Sequence, residues 1–142
     1  MSVILQPSYA LAFNRPFIKN VMRPLYITNP NADPIQFKIK TNAPMLYAVR
    51  PNQGRVNPGK AVEVLVMLRA KEEEPPLDVK CRNKFLVQSI LISPEKTSVP
   101  LVELWSTLPI RSHKLRVNYL PPEGHPLDSP TVKAGTATGE IL

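Results

Sequence analysis

Ile35-Gln36-Phe37-Lys38-Ile39-Lys40 alternates apolar and polar side chains with period two. That period belongs to a half-buried β-strand, because successive side chains of a strand point to opposite faces. Ile35, Phe37 and Ile39 are therefore predicted to face a core, and Gln36, Lys38 and Lys40 to face outward. The same reading extends along the chain. In Lys114 to Tyr119, Leu115, Val117 and Tyr119 point in, while Lys114, Arg116 and Asn118 point out. Val62 to Leu68 is apolar and β-branched apart from Glu63, as suits a central strand. Lys84 to Ile92 is a further strand, and Leu11 to Phe13, Leu25 to Thr28 and Tyr47 to Val49 are shorter candidates.

Turn chemistry separates these segments. Asn29-Pro30-Asn31-Ala32-Asp33-Pro34, Pro51-Asn52-Gln53-Gly54 and Asn57-Pro58-Gly59 read as loops, and Pro75-Pro76 closes an acidic loop that opens at Glu72. One helix is expected, over Val99 to Ser106, where Leu101, Leu104 and Trp105 share a face. Trp105 is read as core. About seven short strands with turns between them predict an all-β sandwich. After Leu120 the large apolar residues run out. Glu123 to Leu142 is read as a flexible linker or tail, because it has too little apolar surface to order itself.

Composition agrees. The 142 residues include 17 Pro and only 5 Gly. So much proline argues against long helices, since it removes a backbone donor and clashes in a helix interior. Cys81 is the only cysteine, so no intramolecular disulfide and no multi-thiol metal site can form. A reducing compartment follows as the expectation. The start, Met1 to Pro7, has neither the basic region nor the apolar run of a signal peptide. No unbroken apolar run is longer than Val64 to Leu68, far below the ~20 residues of a membrane span.

Net charge is +7, which attracts nucleic acid, anionic lipid or an acidic protein segment. Catalysis has little to work with. His113 and His125 are the only histidines, and there is no glycine-rich phosphate loop or nucleophile elbow. No catalytic residue, metal ligand or cofactor is assigned. Basic runs interleaved with exposed aromatics are also missing, so nucleic acid is not the expected partner. Lys84-Phe85-Leu86-Val87-Gln88 is more informative. With Phe85 and Val87 inward, Lys84, Leu86 and Gln88 face out, and an outward leucine beside a lysine forms an apolar socket with a charged rim. Taken by spacing alone, a scattered surface leucine and solubilising lysines are the better explanation of the pattern.

The stretch Phe37-Lys38-Ile39-Lys40-Thr41-Asn42-Ala43-Pro44, followed by Tyr47-Ala48-Val49-Arg50-Pro51-Asn52 and later by Pro58-Gly59, resembles the signature of the major sperm protein (MSP) domain of VAP (VAMP-associated) proteins. Glu73-Glu74-Pro75 with Lys80-Cys81-Arg82-Asn83-Lys84-Phe85-Leu86-Val87 resembles fungal members in particular, and Lys114 to Leu120 fits the family's last strand. The resemblance runs from about Ser2 to Pro122, so residues 1–122 are expected to form the MSP domain and 123–142 the tail. It implies an immunoglobulin-like, seven-stranded β-sandwich. It also implies a function: binding FFAT motifs, short peptides with two phenylalanines in an acidic tract. Lipid-transfer and other proteins would thereby be recruited to the cytosolic face of the endoplasmic reticulum, at membrane contact sites. A C-terminal membrane anchor belongs to such proteins. None follows here, so the chain is expected to be a fragment of a longer protein.

The resemblance implies a peptide-binding set. Lys40, Thr41 and Asn42 occupy the family's Lys-Thr-Thr positions, which receive the peptide's acidic core residue. Lys84 and Leu86 match the Lys and Met that hold the core, Asn52 matches the Asn after Arg-Pro, and Lys114 meets the acidic flank. Lys38 is peripheral, and Arg116 lies outward beside Lys114. Asn42 departs from the second Thr but keeps hydrogen-bonding capacity. Leu86 keeps the size and apolarity of Met. Arg50-Pro51 is expected to fix a loop beside the site, with a cis bond as a candidate. A secondary contact with anionic lipid and a homodimer of the full-length form are both compatible with this reading. The rival is a self-assembling, cytoskeletal MSP-type protein.

Overall fold

The computed structural model describes residues 3–122, and the segment read as a tail lies outside them. The strands are β1 (Ile4–Gln6), β2 (Ala10–Asn14), β3 (Val21–Thr28), β4 (Ile35–Thr41), β5 (Tyr47–Arg50), β6 (Gln53–Val56), β7 (Ala61–Leu68), β8 (Lys84–Leu91) and β9 (Arg111–Leu120). Helix α1 (Leu101–Thr107) lies between β8 and β9, preceded by a 3-10 turn at Pro94–Lys96. One sheet has the order β1-β3-β7-β5, the other β2-β9-β8-β4-β6. Neighbours are antiparallel except β2 and β9, which run parallel with Leu11 opposite Val117. The result is the expected immunoglobulin-like sandwich.

All seven strands read from the sequence are present, and two more join them. β1 has three residues, too few to display alternation. β6 takes in Gln53 and Gly54, which the turn chemistry had assigned to a loop. It is an edge strand with β4 as its one neighbour, so most of its side chains stay polar. Gly54 stands opposite Phe37, and a Cβ there would lie 3.1 Å from the Phe37 ring. The residue that looked like a turn former is thus a space maker for a core aromatic. The turn at Asn57-Pro58-Gly59-Lys60 is as read. Gly59 has φ +73°, and the Lys60 N–H donates to Asn57 O at 3.0 Å, as a type II turn requires.

The interior is filled by the inward rows of both sheets, including Phe13, Phe37, Tyr47 and Phe85. Tyr47 meets Phe85 edge to face at 4.8 Å. On β8 and β9 the alternation is as predicted: Phe85, Val87, Leu115 and Val117 are buried, while Lys84, Lys114 and Arg116 are exposed. On β4 one residue departs. Gln36 points away from the main core yet is only 5 % exposed. It lies opposite Ile90, and Ile90 packs with Ile92 and Leu104 of α1 into a second, smaller core on the outside of the five-stranded sheet. Period-two reasoning assumes solvent on the outer face, and α1 replaces that solvent. Leu104 is the buried anchor of α1 and Trp105 packs beside it, whereas Leu101 remains exposed.

A buried strut fixes the acidic loop. Arg15, 6 % exposed, pairs with Glu74 at 2.8 Å and donates to the carbonyls of Pro75 and Pro76. Glu74 also accepts the Phe17 N–H at 2.6 Å. The loop that leads into β8 is thereby tied to the segment between β2 and β3.

Candidate functional site

Strand register places the outward residues in rows. Lys40 on β4 is opposite Leu86 on β8, and Leu86 is opposite Lys114 on β9. The row above pairs Lys84 with Arg116. The row below holds Lys38, Gln88 and Ser112. Strands lie about 4.8 Å apart and same-face neighbours along a strand about 7 Å apart. One leucine therefore sits in the middle of a small lattice, with a lysine on either side and another along its own strand.

Lys40, Thr41, Asn42, Lys84, Leu86 and Lys114 line one depression of about 320 Å³, floored by Phe85. These are six of the nine residues assigned from the sequence. The other three lie around it. Asn52 lines a second depression of about 420 Å³, with Ile39, Pro44, Tyr47 and Val49 as its apolar wall. Lys40 and Thr41 border both depressions and form the ridge between them. Arg116 opens onto a third, more polar hollow of about 480 Å³ with Arg82, Asn83 and Asn118, which shares Asn42 and Lys84 with the first. Lys38 lines none of the three: its ammonium lies 4.2 Å from the ring centroid of Trp105.

Hydrogen bonds explain why this end of the sheet is well formed. Asn42 Oδ1 accepts the Lys84 N–H at 2.9 Å, and Asn42 Nδ2 donates to Arg82 O at 3.2 Å. The side chain expected to greet a ligand thus stitches the end of β4 to the start of β8. One N–H and one lone pair remain on it. Thr41 Oγ1 accepts the Ala43 N–H at 3.1 Å, which turns the chain after β4. Asn83 Nδ2 donates to the Tyr47 hydroxyl at 2.7 Å. Burial pushes that hydroxyl's pKa well above the usual tyrosine value. Burial does the same to Tyr119, which also has the Cys81 thiol beside it. Asn52 O accepts the Ile39 N–H at 2.9 Å and holds the β5–β6 turn against β4; the Arg50–Pro51 bond in that turn is cis.

The charge on this face is uncompensated. Among the described residues the ion pair is Arg15–Glu74, which involves none of the site's residues, and Lys40, Lys84, Lys114 and Arg116 have no carboxylate partner. Unpaired cations around an apolar centre attract an anion by long-range field and hold it by contact. Sequence reasoning missed the apolar wall at Pro44, Tyr47 and Val49, which the chain assembles from a loop and another strand. It also passed over Arg82, which precedes Lys84 by two residues and so carried a parity signal. Among the described residues no cluster of three or more His, Cys, Asp or Glu side chains stands ready to hold a metal.

Fold and surface together describe an immunoglobulin-like sandwich with one cationic, apolar-centred face. A family model for the MSP (Major sperm protein) domain matches residues 2–108. The chain is 47 % identical over 88 residues to the vesicle-associated membrane protein-associated protein scs2 of Schizosaccharomyces pombe, a match covering 62 % of this chain and 23 % of that protein. It is 32 % identical over 147 aligned positions to the corresponding SCS2 of Saccharomyces cerevisiae, covering 99 % of this chain and 60 % of that one. Among solved structures, SSP-19, an MSP-domain protein like family member of Caenorhabditis elegans, superposes with TM-score 0.62 at 15 % identity, over 84 % of this chain and 99 % of that one. The chain belongs to the MSP-domain family and, within it, to the VAP proteins. It spans 23 % and 60 % of the lengths of the two fungal relatives. Among the described residues no helix is long and apolar enough to cross a membrane.

Proposed function

We propose that this domain is a non-catalytic peptide reader that binds acidic FFAT-type motifs, and that it recruits lipid-transfer and other proteins to the endoplasmic reticulum at membrane contact sites. The observation that carries the reading is the row Lys40–Leu86–Lys114 across three strands. Its two lysines are two strand spacings apart, about 10 Å. An extended peptide covers that distance in three residues. With alternate side chains on one face, such a peptide can set an acidic residue toward Lys40 and an aromatic ring over Leu86, leaving Lys114 to the acidic flank. The aliphatic stem of Lys84 extends the apolar contact. The second depression, with Tyr47, Val49 and Pro44, offers room for a further small apolar residue beyond the ridge at Thr41.

The energetics suit reversible tethering. A hydrogen bond to a charged group contributes about 1.5–3 kcal/mol, and burying a phenylalanine about 1.5–3 kcal/mol. Less the cost of ordering the peptide, a few such contacts give an affinity on the order of micromolar, about −8 kcal/mol. The test is a fluorescence-anisotropy titration of an FFAT-type peptide against the native domain and a folded Lys84→Asp/Leu86→Asp variant. Micromolar, salt-sensitive binding that the variant lacks is the expected result. Absence of native binding, also with a phosphorylated peptide, overturns the reading; equal binding by both proteins moves the site elsewhere.

A further inference from the structure

We propose that Trp105 is a positioning residue of the peptide-reading face: its indole holds the Lys38 ammonium as a preset anion receptor beside Lys40, which makes α1 part of the recognition surface. This rests on the peptide reading above and deepens it.

Lys38 and Lys40 share the outer face of β4 about 7 Å apart, yet their surroundings differ. Lys40 is exposed on the ridge, whereas Lys38 is half-buried with its Nζ 4.2 Å from the Trp105 centroid. That distance is well inside the range of a cation–π contact. The ring is itself held from below. Trp105 packs on the outer core of Ile90, Ile92 and Leu104, so its place is set by tertiary packing. A helix of seven residues is too short to hold its shape unaided.

The choice of partner matters. Directly across on β8 lies Gln88, whose Oε1 is buried with no hydrogen-bond partner. The ammonium sits on the ring rather than on that acceptor. On its other side lies Gln53, also uncharged. A carboxylate in place of the indole would orient Lys38 too, but it would neutralise the charge. An aromatic face fixes the ammonium and leaves its full charge and its remaining N–H groups for an incoming anion. A lysine already held in place loses less rotamer freedom when a ligand arrives. The ligand it fits is a peptide with a second acidic side chain two residues from the one read at Lys40, on a segment that leaves the Lys40–Leu86–Lys114 row there and turns along β4, where two extended residues span the same 7 Å or so.

Trp105 is the only tryptophan in the chain, so its emission reports on this contact without a label. The experiment titrates the native domain with two FFAT-type peptides, one with and one without the second acidic residue. The native domain is expected to prefer the doubly acidic peptide by roughly three- to tenfold, and only that peptide should shift the Trp105 emission. Lys38→Met is expected to remove both the preference and the shift. Trp105→Leu should remove the preference, Trp105→Phe should restore most of it, and Lys38→Met/Trp105→Leu should lose no more than either single change. Where Trp105→Leu does not fold, Lys38→Met and Trp105→Phe carry the comparison. Native binding whose preference is the same in the native, Lys38→Met and Trp105→Phe proteins overturns the positioning role alone. Losses that simply add in the double variant overturn it as well. No binding of either peptide by the native domain overturns it together with the peptide reading.

Discussion

The two sheets turn different outer faces to solvent. The outer face of the five-stranded sheet carries Lys40, Lys84, Lys114 and Arg116 around Leu86. The outer face of the four-stranded sheet carries Met22 opposite Met67, Pro24 opposite Leu65, and Tyr26 opposite Glu63. Met22, Tyr26 and Leu65 are each two-fifths to one-half exposed. Glu63 and Arg50 are the charges of that face, and the Tyr26 hydroxyl donates to Glu63 at 3.1 Å. Both faces arise from the same alternation, and both include apolar residues. They differ in how charge is laid around the apolar part. A leucine ringed by unpaired lysines selects for an acidic ligand and draws it in from a distance, within the Debye length of about 8–10 Å. A near-neutral row of methionine, leucine and tyrosine exerts no such pull.

The largest effect is expected just beneath the site. Phe85 lies between Lys84 and Leu86 but faces the core, so Phe85→Ala should cost about 3–5 kcal/mol of stability, measured by urea unfolding. Leu86→Ala, on the outer face of the same strand, should cost under about 1 kcal/mol. Equal costs would mean that inner and outer sides of β8 are not distinct. Next comes the contrast between faces. Lys84→Asp/Leu86→Asp should weaken FFAT-type peptide binding at least about 100-fold, or roughly 2.7 kcal/mol. Leu65→Asp on the other sheet should leave the affinity within about twofold, and a comparable loss there would put the peptide on the wrong face.

Alkaline stability sharpens the picture of the scaffold under the site. Tyr47 and Tyr119 have raised pKa values in the folded chain, chiefly through burial. Unfolded tyrosines ionise near pH 10. Above that pH the folded state binds more protons than the unfolded state, so stability falls as pH rises. The contribution is fully present below about pH 10, and thermal melts from about pH 9 to pH 11 should show Tm declining. Tyr47→Phe should shallow that decline, and an unchanged slope in Tyr47→Phe would remove Tyr47 from the account. The smallest effect belongs to the rim. Lys114→Ala should weaken peptide binding by about three- to fivefold and flatten its salt dependence, because an exposed pair contributes under about 1 kcal/mol.

Much of this was legible in the chain. The alternation in Ile35 to Lys40, Lys84 to Gln88 and Lys114 to Tyr119 identified which side chains would face outward, and four of them, Lys40, Lys84, Leu86 and Lys114, do gather in one depression. Short-range chemistry was equally readable at Asn57-Pro58-Gly59, because a type II turn depends on residues that are neighbours in sequence. Gln53-Gly54 misled for the same reason. Its composition says turn, while its place beside β4 and under the Phe37 ring is a long-range fact.

Residue order and period were enough for seven of the nine strands, for the two sides of each, and for the basic character of the exposed set. Tertiary structure alone decided the rest. Register brought Lys40, Leu86 and Lys114, from three separated strands, into one row. The fold turned Asn42 into a strut, and it laid α1 over β4 and β8, burying Gln36 and seating Lys38 on Trp105. A period describes a strand's two sides, but what covers each side depends on which distant segments the whole chain packs against it.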